Sequence, residues 1–388
     1  MATTSTALNM EAQLQSLLSG NAEQARTKWA LDWRKQGKKV IGLTCTYVPE
    51  EVIFAAGMLP FRVTGTWRAN TPLASAYRPA NICLYCTHVL ESIMSGELAF
   101  LDGLVSTNND DDLRRFHDVC AHIGKPSYRH IMHLPHVDSE LGVASFADSI
   151  RRLVTELGDL RGAKITSEAL SDAIGTYNRW RAALAKVYEL RKRARPPLSG
   201  SEVLQLATAS SVMPKDQFTA QLEAMLPYLQ QREAAMKKVR PRLLVSSDRL
   251  DHPGYLQLIE EAGAVVAMDD LDTASRYFWG QVDETKDPVD ALAERYMKRP
   301  ADPRMAFWDR QVDQVVAWVR EFDIDGVVNF PQIYTYPRHF GTPYLMARLH
   351  EAGIPALTVD REYHLANVGQ LKTRVGAFIE RVEARDRS

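Results

Sequence analysis

Cys83 and Cys86 stand as C-L-Y-C at the start of a stretch with helical periodicity. A thiol at a helix N-terminus is biased toward thiolate, so this pair suits one edge of an iron–sulfur or other soft-metal site. It equally suits a redox dithiol that closes to a disulfide. Cys45 ends a short apolar run and is placed to join them, whereas Cys120 lies inside a later helical stretch and reads as a small buried hydrophobe. A closed zinc site would need a second ligand pair, and none stands out. His130, His133 and His136 repeat as H-x-x-H-x-x-H. Steps of three alternate the faces of a strand, so they do not converge on one ion and read as edge-strand polar groups. Glu50 and Glu51 could act as acid and base, although a pair of carboxylates opening a helix is explained more economically by the helix dipole. Glu51 is the candidate taken forward.

Other chemistries are excluded by what the chain lacks. There is no G-x-G-x-x-G after a strand, no G-x-x-x-x-G-K-[ST] loop and no G-x-S-x-G elbow, which argues against dinucleotide, P-loop and serine-hydrolase sites. In 388 residues, 47 Lys and Arg balance 48 Asp and Glu for a formal net charge of −1, without the basic footprint of a nucleic-acid binder. No run of about 18 apolar residues is present, so no membrane span is expected. The first twenty residues lack a basic region followed by an apolar one. With only four cysteines, the chain is expected in a reducing cytoplasm rather than as a disulfide scaffold.

The elements that must position these residues follow a βα rhythm. Strands are expected at 39–44, 58–64, 102–107 and 127–134, and again at 242–247, 264–268, 326–330 and 356–359. Helices are expected from Pro49 to a C-cap at Gly57, at 81–98, and from 111 to a C-cap at Gly124 with Asp111 or Asp112 as N-cap. Between the two sets, 143–158, 166–194, 200–212 and 215–238 read as helices, broken by Arg195-Pro196-Pro197. The runs Arg191-Lys192-Arg193 and Lys237-Lys238 read as solvated helix ends. Later helices are expected at 255–262, 307–322, 343–352 and 370–384. The fold class is therefore α/β: two Rossmann-like parallel-sheet domains, 37–140 and 241–388, with an intervening helical block, 141–240, and an N-terminal helical segment, 1–36.

In open parallel sheets ligands sit beyond the carboxyl ends of the strands. Those positions hold Cys45-Thr46-Tyr47, the cluster Asn108 to Asp112, and Asp248, Arg249, Asp251 and His252. They also hold Gln332, Tyr334, Tyr336, Arg338 and His339, and finally Asp360 to Tyr363. So many aromatic and charged groups in five such loops point to a site in an interdomain cleft.

Three segments in order carry a resemblance. These are T-Y-V-P-E-E-V-I-F-A-A-G-M-L-P-F-R-V-T-G over 46–65, the stretch from Cys83 to Arg115 with G-E-L-A-F-L-D-G-L-V-S-T, and G-I-P-A-L-T-V-D-R-E-Y over 353–363 followed by G-Q-L-K-T-R-V-G-A-F-I-E. Together they resemble the benzoyl-CoA reductase / 2-hydroxyacyl-CoA dehydratase family from about residue 37 to 382. The resemblance implies a subunit that pairs with a homologous second subunit, acts on an acyl-CoA substrate and carries a 4Fe-4S iron–sulfur cluster. It further implies that ATP is used only by a separate ATP-hydrolysing iron–sulfur activator, which supplies low-potential single electrons. The outcome would be reduction of an aromatic acyl-CoA, the reading the C-L-Y-C run favours, or radical elimination of water from a 2-hydroxyacyl-CoA.

The family's cluster-binding members place three cysteines per subunit. Here the first falls at Cys83, the second position is Asp110, and the third, within 332–339, has no cysteine. The resemblance thus implies Cys83 as a metal ligand with Cys86, Cys45 or Asp110 completing the shell, or else a cluster-free partner subunit. Tyr336 and His339 join Glu51 as catalytic candidates, and Tyr334, Arg338 and Asp110 as cofactor-binding ones.

Overall fold

A computed structural model describes residues 2–20, 22–233 and 239–385. All eight expected strands form: β1 (Val40–Leu43), β2 (Leu59–Arg62), β3 (Gly103–Thr107), β4 (Tyr128–Met132), β5 (Arg242–Ser247), β6 (Val265–Asp270), β7 (Gly326–Phe330) and β8 (Ala356–Thr358). They make two four-stranded parallel sheets of identical topology, β2-β1-β3-β4 and β6-β5-β7-β8. The α/β class with two parallel-sheet units is as the sequence rhythm indicates.

Parallel sheets bury both faces, and alternation along each strand shows how. In the first sheet Ile41, Leu43, Val105 and Met132 pack with Val52, Ile53, Phe146 and Ile150, whereas Val40, Leu59, Phe61 and Leu104 face Val89, Leu90 and Phe116. In the second, Leu244, Val265 and Val327 pack with Val315 and Trp318, and Leu243, Val245, Val266 and Val328 with Tyr255, Leu256 and Phe378. Each fully buried side chain of this kind contributes roughly 1.5–3 kcal/mol. The central helices, Glu140–Arg161, Ser167–Arg191, Gly200–Ser210 and Lys215–Gln231, pack against both sets of strands. Among the described residues no helix is long and apolar enough to cross a membrane.

The structure corrects four local expectations. Asp110, rather than Asp111 or Asp112, caps the helix Asp111–His122 by accepting from the Leu113 N–H at 2.9 Å. The helix expected at 81–98 is shorter, Leu84–Met94, with Cys83 itself at its N-cap. The helix expected from Pro343 begins at Tyr336, because Pro337 occupies its first turn and Pro343 lies inside it. Arg191 is no solvated helix end: it is buried, donating to the Asp269 carboxylate at 2.7 Å and to the Val266 carbonyl at 3.0 Å, and so ties the helical block to β6. Lys237 and Lys238 lie outside the described residues. The segment between β6 and the helix Trp308–Glu321 carries elements the sequence did not announce: short helices Ser275–Phe278 and Pro288–Lys298 and a 3₁₀ turn at Pro303–Met305.

Candidate functional site

The loops beyond the carboxyl ends of β3, β5 and β7 meet around Cys83. Its thiol is fully buried at the N-cap of Leu84–Met94, and its backbone N–H donates to the Asp112 carboxylate at 3.2 Å. From the second sheet, Gln332 Nε2 lies 3.6 Å and Thr335 Oγ1 4.0 Å from Cys83 Sγ, both oriented as donors. Tyr334 stands between them with φ +63°, a left-handed conformation that costs a non-glycine residue of order 1 kcal/mol. That reversal brings Gln332 and Thr335 to the same sulfur while Tyr334 remains partly exposed. Gly65 holds the other wall in place: a Cβ there would sit 2.4 Å from that of His88, so only glycine lets the segment after β2 lie on the Cys83 helix.

Charge surrounds the sulfur. Arg304 donates from Nε to Asp110 at 2.7 Å, lies 3.4 Å from Asp302 and 3.8 Å from Asp248, and all four side chains are buried. Asp248 in turn accepts from the Gln332 backbone N–H at 3.4 Å, which links the β5 and β7 loops. A hydrogen bond from the Cys86 thiol, with further help from the Arg304 and Arg249 guanidinium groups, lowers the Cys83 thiol from 9.0 to about 6, so Cys83 is a thiolate at neutral pH. Burial, together with donation to that thiolate, pushes Cys86 well above its ordinary value. One thiol of the C-L-Y-C pair is thus charged and the other holds its proton.

The remaining sequence candidates fall in different places. Cys45 is buried with its thiol toward Asn109 Oδ1, at 3.9 Å. Arg338 is buried beneath β5 and β7, donating to Ser246 Oγ at 2.5 Å and to Asn329 Oδ1. Tyr336 is exposed and its hydroxyl donates to the Asn81 carbonyl at 3.1 Å, so the loop after β7 closes over the one before Cys83. His339 contacts the Thr335 carbonyl through Nδ1 at 3.0 Å and Asp360 through Nε2 at 3.4 Å. Glu51 is fully buried away from these groups, with one carboxylate oxygen accepting from Arg181 and the other from the Tyr296 hydroxyl at 2.8 Å. Its neighbour Glu50 pairs with Lys215 at 3.0 Å and accepts from Tyr277 at 2.5 Å. The histidine run disperses: His130 binds Glu156 at 2.8 Å and His133 binds Asn108 at 3.1 Å.

An iron–sulfur cluster is held by several cysteine thiolates facing one point. At Cys83 the groups from the facing loops are an amide, a hydroxyl and a guanidinium, namely Gln332, Thr335 and Arg304. Asp110 is committed to Arg304 and to the Leu113 N–H, and the Cys45 thiol to Asn109. Among the described residues no group of three or more His, Cys, Asp and Glu side chains could hold a metal ion. The donor set at Cys83 therefore does not fit a 4Fe-4S cluster. Arg304, Asp302 and Thr335 are the participants that sequence reasoning missed; Asp302-Pro303-Arg304 is a short turn between two helices with no local signal of its partners.

Comparison with known proteins places this architecture. Residues 45–382 match the family described as 2-hydroxyglutaryl-CoA dehydratase, D-component. The chain is 28% identical over 357 residues to the beta subunit of (R)-2-hydroxyglutaryl-CoA dehydratase of Acidaminococcus fermentans, covering 90% of this chain and 93% of that one. It is 25% identical over 351 residues to the beta subunit of (R)-phenyllactyl-CoA dehydratase of Clostridium sporogenes, covering 89% and 92%. Against one of the benzoyl-CoA reductase subunits of Thauera aromatica the identity is 23% over 363 residues, covering 91% and 94%.

Proposed function

Since the chain belongs to the 2-hydroxyglutaryl-CoA dehydratase D-component family, we propose that it is the cluster-free subunit of an acyl-CoA dehydratase or reductase, paired with a homologous subunit that carries the redox metal. The relatives are themselves named as single subunits of larger enzymes, two of them as beta subunits, which supports a partnered role. The observation that carries the reading is the environment of Cys83. A thiolate wrapped by Gln332, Thr335 and Arg304 has its negative charge satisfied within the chain. In this reading the loops after β3, β5 and β7 serve as a rigid wall of the acyl-CoA site, and the electron chemistry, with its ATP-hydrolysing activator, belongs to the partner.

The alternative is a benzoyl-CoA reductase-like subunit that itself holds a cluster on Cys83 with Cys86, Cys45 or Asp110, for ATP-driven one-electron reduction of an aromatic acyl-CoA. It requires Asp110 to leave Arg304 and Gln332 to withdraw from the sulfur, each at the cost of stranding a buried polar group. Anaerobic purification of the chain, alone and with its co-expressed neighbouring subunit, separates the two. The expected result is colourless, iron-free protein alone and iron only with the partner. Iron retained by the isolated chain and lost in Cys83→Ala would overturn the proposal.

A further inference from the structure

The helix Tyr336–Glu351 buries Arg338, Leu345 and Leu349, and its two leucines join the core around Val327. A surface helix normally turns charged and polar residues to the opposite side. Here the exposed positions include Tyr336, Phe340, Pro343 and Ala347, whose spacing of four, three and four residues places them on one stripe. The Tyr336 and Phe340 rings stack with centres 6.4 Å apart, and Phe340 is 68% exposed. The Tyr336 hydroxyl reaches the Asn81 carbonyl and so joins this stripe to segment 69–81 of the first α/β unit, where Leu73 and Tyr77 are exposed as well. With Tyr334, these two segments hold five of the ten large hydrophobic side chains that are exposed among the described residues. Across 69–81 and 331–347 the only Asp, Glu, Lys or Arg residues are Arg78 and Arg338, and both are buried. Charge returns at the margin, where His339 meets Asp360 at 3.4 Å and Arg348 meets Asp309 at 3.3 Å.

At roughly 200 Å² for a whole aromatic side chain, these five residues leave on the order of 450 Å² in water. That is more than half of the roughly 800 Å² that each side of a standard interface buries. An aromatic centre without charge, inside a polar margin, is also how interface cores are composed. The lack of charge suits a partner of the same architecture. About a two-fold or pseudo-two-fold axis a face meets its own counterpart, and any charge on it would meet its like. The face is continuous with the Cys83 site. Thr335, between the exposed Tyr334 and Tyr336, turns its hydroxyl inward to Cys83 Sγ at 4.0 Å. A partner seated on the two tyrosines therefore rests on the loop that wraps the thiolate.

We propose that this aromatic face is where the homologous partner subunit docks, covering Tyr334, Tyr336 and Phe340 and the loop that closes over Cys83. The proposal rests on the partnered role inferred above, and its test separates the two. The full-length chain and its neighbouring subunit are purified separately, and their association is measured by sedimentation velocity, with Phe340→Asp and Ala347→Glu as variants. Both positions are exposed, so the unfolding midpoints of the variants should stay with the wild type. Each charge is expected to weaken association tenfold or more, while Phe340→Tyr associates as the wild type does. If the wild-type chain does not bind the neighbouring subunit, the partnered reading falls and the docking face falls with it. If the wild type binds and Phe340→Asp and Ala347→Glu bind equally well, the docking face alone is overturned. A wild-type homodimer that Phe340→Asp dissolves, with binding of the neighbouring subunit undiminished, assigns the face to a second copy and likewise overturns the proposal.

Discussion

Arg304 and Asp110, 194 positions apart in the chain, form an ion pair at 2.7 Å with both side chains essentially buried. Arg304 also faces Asp302 and Asp248, so its charge is shared among three carboxylates. Removing one partner from a buried pair strands the other, at a cost of about 3–5 kcal/mol. Arg304→Met should lower unfolding stability by that amount in urea titrations. Adding Asp110→Asn should cost less than the sum of the two single changes, because the second removes a charge the first had orphaned. Strict additivity would show that the pair is not coupled.

A similar logic applies to Glu51, though its partners are different. Its carboxylate is held by Arg181 and the Tyr296 hydroxyl. Tyr296→Phe deletes one hydrogen bond to a charged group and should cost about 1.5–3 kcal/mol, and Arg181→Met about 3–5 kcal/mol, both read from the midpoint of thermal or urea unfolding. A change below about 0.5 kcal/mol in either variant would show that these contacts do not bear on the folded state.

Cys83 provides a titration with a definite sign. Its thiol is lowered from 9.0 to about 6 in the fold, so between those values the unfolded chain holds a proton that the native chain has released. The thiolate therefore adds stability as pH rises through that interval; the contribution is complete above the ordinary thiol value and disappears as pH falls through about 6. Thiolate absorbance at 240 nm should rise with a midpoint near pH 6. Cys86→Ala removes the largest lowering influence and should move the midpoint upward by about one pH unit. A midpoint unchanged in that variant would place the cause elsewhere.

His88 makes the acid limb of the stability profile steeper. Burial lowers its imidazole from 6.5 to about 4, while Nδ1 contacts the Thr66 carbonyl at 2.7 Å. Being depressed, the group contributes stability that is whole above pH 6.5 and declines as pH falls toward 4, by up to about 3 kcal/mol. His88→Gln can still donate to Thr66 without titrating, so the difference between its profile and the wild-type one should grow below pH 6.5. Parallel profiles from pH 7 to 4 would exclude His88 as a contributor.

The strands were legible because burial on both faces leaves near-continuous apolar runs such as Val40–Leu43 and Gly326–Phe330. The loop positions of Asp110, Asp248, Arg249 and Gln332 followed from the same reading, since the carboxyl ends of parallel strands are where loops diverge. What escaped was the pairing of charges. Asp302 and Arg304 sit in a D-P-R turn that any solvated loop could contain, and nothing local distinguishes an arginine aimed at residue 110 from one aimed at water. Glu50 and Glu51 do open the helix Glu50–Ala55, but their ion pairs were hidden for the same reason. Their spacing fitted a helix dipole, while their counter-ions, Lys215 and Arg181, are supplied by helices more than 100 residues away.

Beside the apolar packing, a set of contacts that fasten the two sheets to each other and to the central helices joins charged or polar groups from distant parts of the chain. Arg62 meets Asp272, Asp110 meets Arg304, Glu50 meets Lys215, and Thr46 receives Arg299 at 2.6 Å. Cutting the polypeptide between the sheets would hand each fragment buried ions whose neutralising partners had left with the other. The two units are therefore divisible by topology and indivisible by electroneutrality, and a split version of this protein would regain its fold only by recombining both pieces.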